Sequence, residues 1–164
     1  MRNNNSMKGR VGMNIEDIIK YKFKNKELLD IAITHSSYAH ENDIEYYNER
    51  IEYLGDAVLE LVASEYIYIN YPYLAEGEMT KARAYSVCEE SLASFANNYG
   101  FSDFLRVGKC EAKNDGRYRS SILADAVEAI IGAIFLDGGL EPVKEFIIDH
   151  ISKQVETCIK NGNK

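Results

Sequence analysis

The stretch from Ser121 to Leu136, SILADAVEAIIGAIFL, is apolar on nearly every side of a helical wheel. A helix of that kind is normally a buried one. Asp125 and Glu128 are its exceptions, and their i, i+3 spacing sets them side by side on one face. Gly132, four residues past Glu128, extends the same face without bulk. An ionised carboxylate in such surroundings costs several kcal/mol unless a cation compensates it. No Arg or Lys lies within this helix.

A second stretch repeats the pattern. In NERIEYLGDAVLE, Asn48 to Glu60, the acids Glu49, Glu52 and Asp56 fall at i, i+3 and i+7. They occupy an arc of about 60° on the wheel, and the next residues along that stripe are Leu59 and Ala63. The acidic stripe thus turns apolar further along, which places it at the mouth of a site rather than in open solvent. Gly55 beside it leaves room. Two plain readings compete. Glu49 in a first helical turn suits the helix dipole, and Glu52 and Asp56 also fit an ion-pair network. A shared divalent cation accounts for both pairs together, and an all-oxygen donor set favours magnesium or manganese. His35 and His40 are read as hydrogen-bonded structural histidines.

The rest of the chain is helical in period. Asn25 caps a helix over 26–33, and residues 40–47 are polar and read as a loop. The acidic helix runs from about Asn48 towards Asn70 and stops before Pro72, although Tyr66 to Ile69 has strand-like propensity. Ala75-Glu76-Gly77 reads as a turn, followed by helices near 79–85 and 89–99, the latter ended by Gly100. A polar loop over 108–119 precedes the apolar helix. Gly138-Gly139 stops that helix, and Pro142 suits the first turn of a last one reaching Asn161. The expectation is a single all-α domain, and 164 residues suffice for a sizeable core.

No apolar run approaches the ~18 residues needed to span a membrane, and the first residues carry no secretory pattern. Residues 1–13, with methionines at 1, 7 and 13, read as a flexible leader with an open choice of start. Cys88, Cys110 and Cys158 lack metal-ligand spacing and read as buried reduced thiols of a cytoplasmic protein. A net charge of −7 argues against nucleic-acid binding by bulk charge.

These residues resemble the ribonuclease III family. Asn48 to Leu59 is similar to its signature, and the likeness continues in order through FKNKELL at Phe23, THSSY at Thr34, EGEMTKARA at Glu76 and the stretch from Ser121 to Gly139. It covers residues 14–160 and follows the bacterial branch. The resemblance implies the helical endonuclease-domain fold, a homodimer, and magnesium-dependent cleavage of double-stranded RNA to 5′-phosphate and 3′-hydroxyl ends, in rRNA and mRNA processing. It implies that Glu52, Asp56, Asp125 and Glu128 hold the metal, with Asp56 and Glu128 the least replaceable. Glu49 and Glu76 match acids flanking the cleavage site. Tyr53 stands where the family has Phe, an aromatic that anchors the partner subunit. The usual member continues through a linker into an RNA-binding domain, and residues 161–164 are read as the start of that linker.

The charge objection has a local answer. Residues 106–119 hold five basic side chains against two acidic ones, a charge of +3 in a chain that is otherwise −10. Lys113, Arg117 and Arg119 of this segment are candidate phosphate contacts, with a solvated loop as the competing reading. Two other functions remain as alternatives. One is a catalytically inactive RNA-binding or scaffold relative. The other is a carboxylate-bridged di-iron or di-manganese helical bundle, which usually needs Glu-x-x-His pairs that the chain lacks.

Overall fold

The computed structural model describes residues 14–162, so the leader expected over 1–13 and the last two residues of the tail lie outside it. Within the described residues the regular structure is helical. α1 (Ile15–Ile19), α2 (Lys26–Ala32) and α3 (Ser36–Glu41) precede the long α4 (Glu49–Asn70). α5 (Glu76–Val87) and α6 (Glu89–Tyr99) follow, then the short α7 (Lys109–Lys113), α8 (Ser120–Gly138) and α9 (Leu140–Gly162). Among the described residues the one extended pairing is an isolated bridge, Thr34 to Arg106, in which His35 N–H donates to the Arg106 carbonyl at 2.9 Å and Arg106 N–H to that of Ile33 at 2.8 Å.

α8 is the axis of the fold, as its composition requires. Ile122 to Ala124, Ala126, Val127 and Ala129 to Ile134 are all buried, and α4, α6, α2 and α9 pack around them. α9 presents Val143, Ile147, Ile151 and Val155 inward at helical spacing, each fully buried. Phe95, Phe101 and Phe146 close one end, with Phe95 meeting Phe146 edge-on at 5.2 Å.

Several expectations are corrected. α1 was not expected, although Asn14 and Asp17 form a capping box that the sequence spells out. Ala75-Glu76-Gly77 is not a turn. α5 starts at Glu76, because Glu78 accepts a hydrogen bond from the Ala75 N–H at 2.8 Å. α3 extends to Glu41, into the expected loop over 40–47. The segment 108–119 is partly ordered as α7, whose first two amides, Lys109 and Cys110, donate to the Glu41 carboxylate at 2.8 and 3.3 Å. The α4 tail through Tyr66 to Ile69 stays helical, since α4 packs on α8, α5 and α9 and packing overrides local strand propensity. The cysteines form no disulfide, but only Cys158 is buried; Cys110 is exposed and Cys88 half-buried. No helix among the described residues is long and apolar enough to cross a membrane.

Candidate metal centre

α4 and α8 cross at two glycines. A Cβ on Gly132 would lie 3.2 Å from the Gly55 nitrogen and 3.1 Å from Ile51 Cγ1. A Cβ on Gly55 would collide with the Glu128 carbonyl and stand 2.9 Å from the Gly132 nitrogen. Backbones therefore touch here, an approach that larger side chains would prevent. Glu52 is one turn before Gly55 on α4, and Glu128 and Asp125 are one and two turns before Gly132 on α8. The crossing thus brings the two acidic faces together.

Glu52, Asp125 and Glu128 each place a carboxylate oxygen within 4.8 Å of the others, and all three are half-buried. Burial is the main influence on each. It pushes the Glu128 carboxyl up to about 8, helped by the charges of Asp56, Glu52 and Asp125. Glu52 is pushed up to about 7 by burial and by Asp125, whose carboxyl lies within hydrogen-bond reach. Asp125 is raised too, by burial and by the charge of Glu89, while His35 acts in the opposite sense. His35 is the only basic side chain among these influences. The site concentrates carboxyl groups whose shifts are dominated by burial and by one another's charge.

The remaining expected residues are placed differently. Asp56 is exposed, outside the group of three, and acts on Glu128 as its strongest charged neighbour. Glu49 is exposed on the same rim and raises both Glu52 and Asp125. Glu76 is not brought to this centre within the chain. It lines a pocket of about 420 Å³ with Leu61, Ser64 and Tyr68, beside the other half of α4. Tyr53 is 82% exposed and lines a groove of about 860 Å³ whose other walls include Leu28, Ile31, Leu54 and Leu136.

The basic segment is largely self-satisfied. Arg117 donates from Nη1 to the Leu105 and Ser102 carbonyls, at 2.5 and 3.4 Å. Arg119 pairs with Glu111 at 2.8 Å. Lys113 is exposed and makes no ion pair among the described residues. Two residues that sequence reading passed over also bear on the site. Glu60, paired with Arg83 at 3.1 Å, raises Glu128, and Glu89, which accepts from Ser120 Oγ at 2.7 Å, raises Asp125. Glu60 sits four residues past Asp56, a spacing that could have flagged it.

An α-helical domain thus carries half-buried carboxylates from two crossed helices, grouped closely enough that they could hold a metal ion. The family model described as ribonuclease-III-like matches residues 25–155, and the chain belongs to that family. It is 48% identical over 152 residues to a protein named Ribonuclease 3 from Clostridium tetani, covering 91% of this chain and 65% of that protein. A second Ribonuclease 3, from Syntrophomonas wolfei, is 51% identical, covering 81% of this chain and 57% of its own length. The chain thus spans less than two thirds of these relatives. Among solved structures it resembles the nuclease domain of ribonuclease III from Campylobacter jejuni, with a TM-score of 0.79 at 44% identity, covering 85% of this chain and 95% of that one. That structure is described as flexible in a region involved in dimer formation. A Dicer from Pichia stipitis is similar over 84% of this chain and 57% of that one, with a TM-score of 0.57 at 28% identity.

Proposed function

We propose that the chain is the endonuclease unit of a ribonuclease III, hydrolysing double-stranded RNA at the centre formed by α4 and α8, with magnesium as cofactor and manganese able to replace it. The observation that carries this reading is the trio Glu52, Asp125 and Glu128, whose oxygens lie within 4.8 Å on two helices otherwise packed into the core. The donor set fits a hard cation, since all three residues offer carboxylate oxygen. A divalent cation there supplies Lewis acidity to the phosphoryl oxygen and lowers the pKa of water.

The protein's own part is placement. Glu52 and Asp125 would hold the cation from the two crossed helices. Glu128, the most strongly shifted of the three, joins them and orients the attacking water. Asp56 on the rim extends the negative field and would serve as a further ligand. Water attacks phosphorus in line, the bond to the 3′ oxygen breaks, and the products carry 5′-phosphate and 3′-hydroxyl ends. Substrates in rRNA and mRNA processing, in the cytoplasm, follow from the same reading.

Two strands need two centres, and an isologous homodimer supplies them. Tyr53 stands almost fully exposed beside an apolar groove, and we assign it as the anchor that enters the partner's groove. Glu76, outside its own chain's trio, flanks the cut from such an assembly. The decisive experiment is cleavage of a plain RNA duplex with and without magnesium. Duplex binding without metal-dependent cutting would replace this reading with an inactive RNA-binding relative.

A further inference from the structure

We infer that Asn48 is a positioning residue for the metal centre: its buried amide ties the foot of α4 to α2 and so fixes where Glu52 meets α8. The inference rests on the functional reading above for its catalytic consequence, though not for its effect on cation binding. Asn48 is 4% exposed and occupies the N-cap position of α4, where an asparagine ordinarily accepts from its own helix's amides. It makes no such bond. Its Nδ2 donates instead to the Ala32 carbonyl, sixteen residues away, at 3.2 Å. Its backbone N–H donates to the Thr34 carbonyl at 2.9 Å.

Ala32 is the last residue of α2, so its carbonyl is one of the acceptors that a helix end leaves without an internal partner. Ala32 and Thr34 are both fully buried. A buried carbonyl without a donor is costly, and Asn48 provides the donor. The other end of α2 is fastened to α8. Asp137 accepts from the Lys24 and Asn25 amides, each at 2.9 Å, and from the Tyr21 hydroxyl at 2.6 Å. A closed frame results: α8, through Asp137, to the start of α2, along α2 to Ala32, and through Asn48 to the start of α4.

Its geometric consequence falls on Glu52. α4 touches α8 most closely at Gly55, a contact of bare backbones that fixes a crossing point, with the Ile51 side chain packed beside it. Glu52 lies about 4.5 Å along the axis from that pivot and Asn48 about 10 Å. The tie at Asn48 acts on the longer arm and restrains the angle. The first helical bond of α4, from Glu52 N–H to the Asn48 carbonyl at 2.9 Å, links the two residues directly.

Asn48→Asp tests this most sharply. Aspartate caps a helix as well as asparagine does, so α4 keeps its helical start. It cannot donate to Ala32, and its charge opposes that carbonyl. Asn48→Ser also caps but is too short to reach. Manganese binding, followed by electron paramagnetic resonance without RNA, should weaken about tenfold in both variants, as loss of a group that orients a ligand commonly does. In cleavage, kcat should fall while KM for duplex RNA changes less than twofold. Val155→Ala, in the buried face of α9, serves as a control of similar melting temperature and should bind manganese normally. Unchanged manganese affinity in both Asn48 variants overturns the inference, and so does an equal loss in the control. A wild-type chain that binds manganese but cuts no duplex overturns the proposed function, and the manganese titration still decides the role of Asn48.

Discussion

Gly55 and Gly132 meet backbone to backbone where α4 crosses α8, and neither position has space for a methyl group. The obstacle is the main chain: the Glu128 carbonyl for Gly55 and the Ile51 carbonyl for Gly132. Neither can rotate away as a side chain would. Gly55→Ala should therefore separate the helices, costing about 1–3 kcal/mol or more. Differential scanning calorimetry should show a lower melting temperature, and metal binding should weaken with it. An unshifted transition would mean that the crossing is looser than the structure shows.

Glu128→Gln keeps shape and removes charge from the carboxylate most strongly perturbed by burial. The fold should persist, because relieving repulsion among like charges does not disturb packing. Cleavage should be abolished, and the rise in melting temperature that magnesium gives the parent chain should shrink. Normal turnover in this variant would remove Glu128 from the mechanism.

Stability without divalent cations should fall as pH rises from about 4.5 towards 8. Glu52 and Glu128 have ordinary values of 4.5 when unfolded but about 7 and about 8 in the fold. Between those limits the folded chain holds more protons than the unfolded one, so each step up in pH favours unfolding. Below 4.5 both states are protonated and the effect vanishes. Magnesium should flatten the slope by favouring the ionised carboxylates. Melting curves across pH 5 to 8.5, with magnesium or a chelator, measure this directly, and a rising stability over that range would contradict the burial of the site.

Tyr53→Ala should shift the assembly towards monomer without lowering the melting temperature of the monomer itself, since the ring is 82% exposed within one chain. A buried aromatic anchor is commonly a dominant contributor to such an interface. Sedimentation velocity over a concentration series gives the answer. An equally tight dimer would move the anchor elsewhere along α4, where Leu61 and Tyr68 are also exposed.

The basic segment should divide on mutation. Lys113→Ala should weaken duplex binding at low ionic strength and leave stability unchanged, with a shallow salt slope because few phosphates are contacted. Arg117→Ala should destabilise by about 1–3 kcal/mol, since it leaves the Leu105 and Ser102 carbonyls without their donor. Fluorescence anisotropy in calcium, paired with thermal melts, separates the two effects. Full RNA affinity after Lys113, Arg117 and Arg119 are neutralised together would return the segment to a solvated surface.

Local periodicity settled much of this in the sequence alone. The unbroken apolar circumference of residues 121–136 determined that α8 is buried, and the i, i+3 spacing set Asp125 beside Glu128 on one face of it. The same rule put Glu49, Glu52 and Asp56 on one stripe of α4. Periodicity says nothing of the distance between two helices. Only the tertiary structure decided that Glu52, rather than Asp56, completes the group of three, because the Gly55–Gly132 crossing fixes which turn of α4 faces Asp125 and Glu128. Likewise, the positive charges of Arg117 and Arg119 were legible, but not their occupation by the Leu105 carbonyl and by Glu111. Asn48 reads locally as a helix cap, and its bond to Ala32 exists because folding brings an unpartnered carbonyl from the end of α2 within reach. Each of these depends on contacts between residues distant in the chain, where backbone packing and buried hydrogen-bond demand, not local spacing, select the partner.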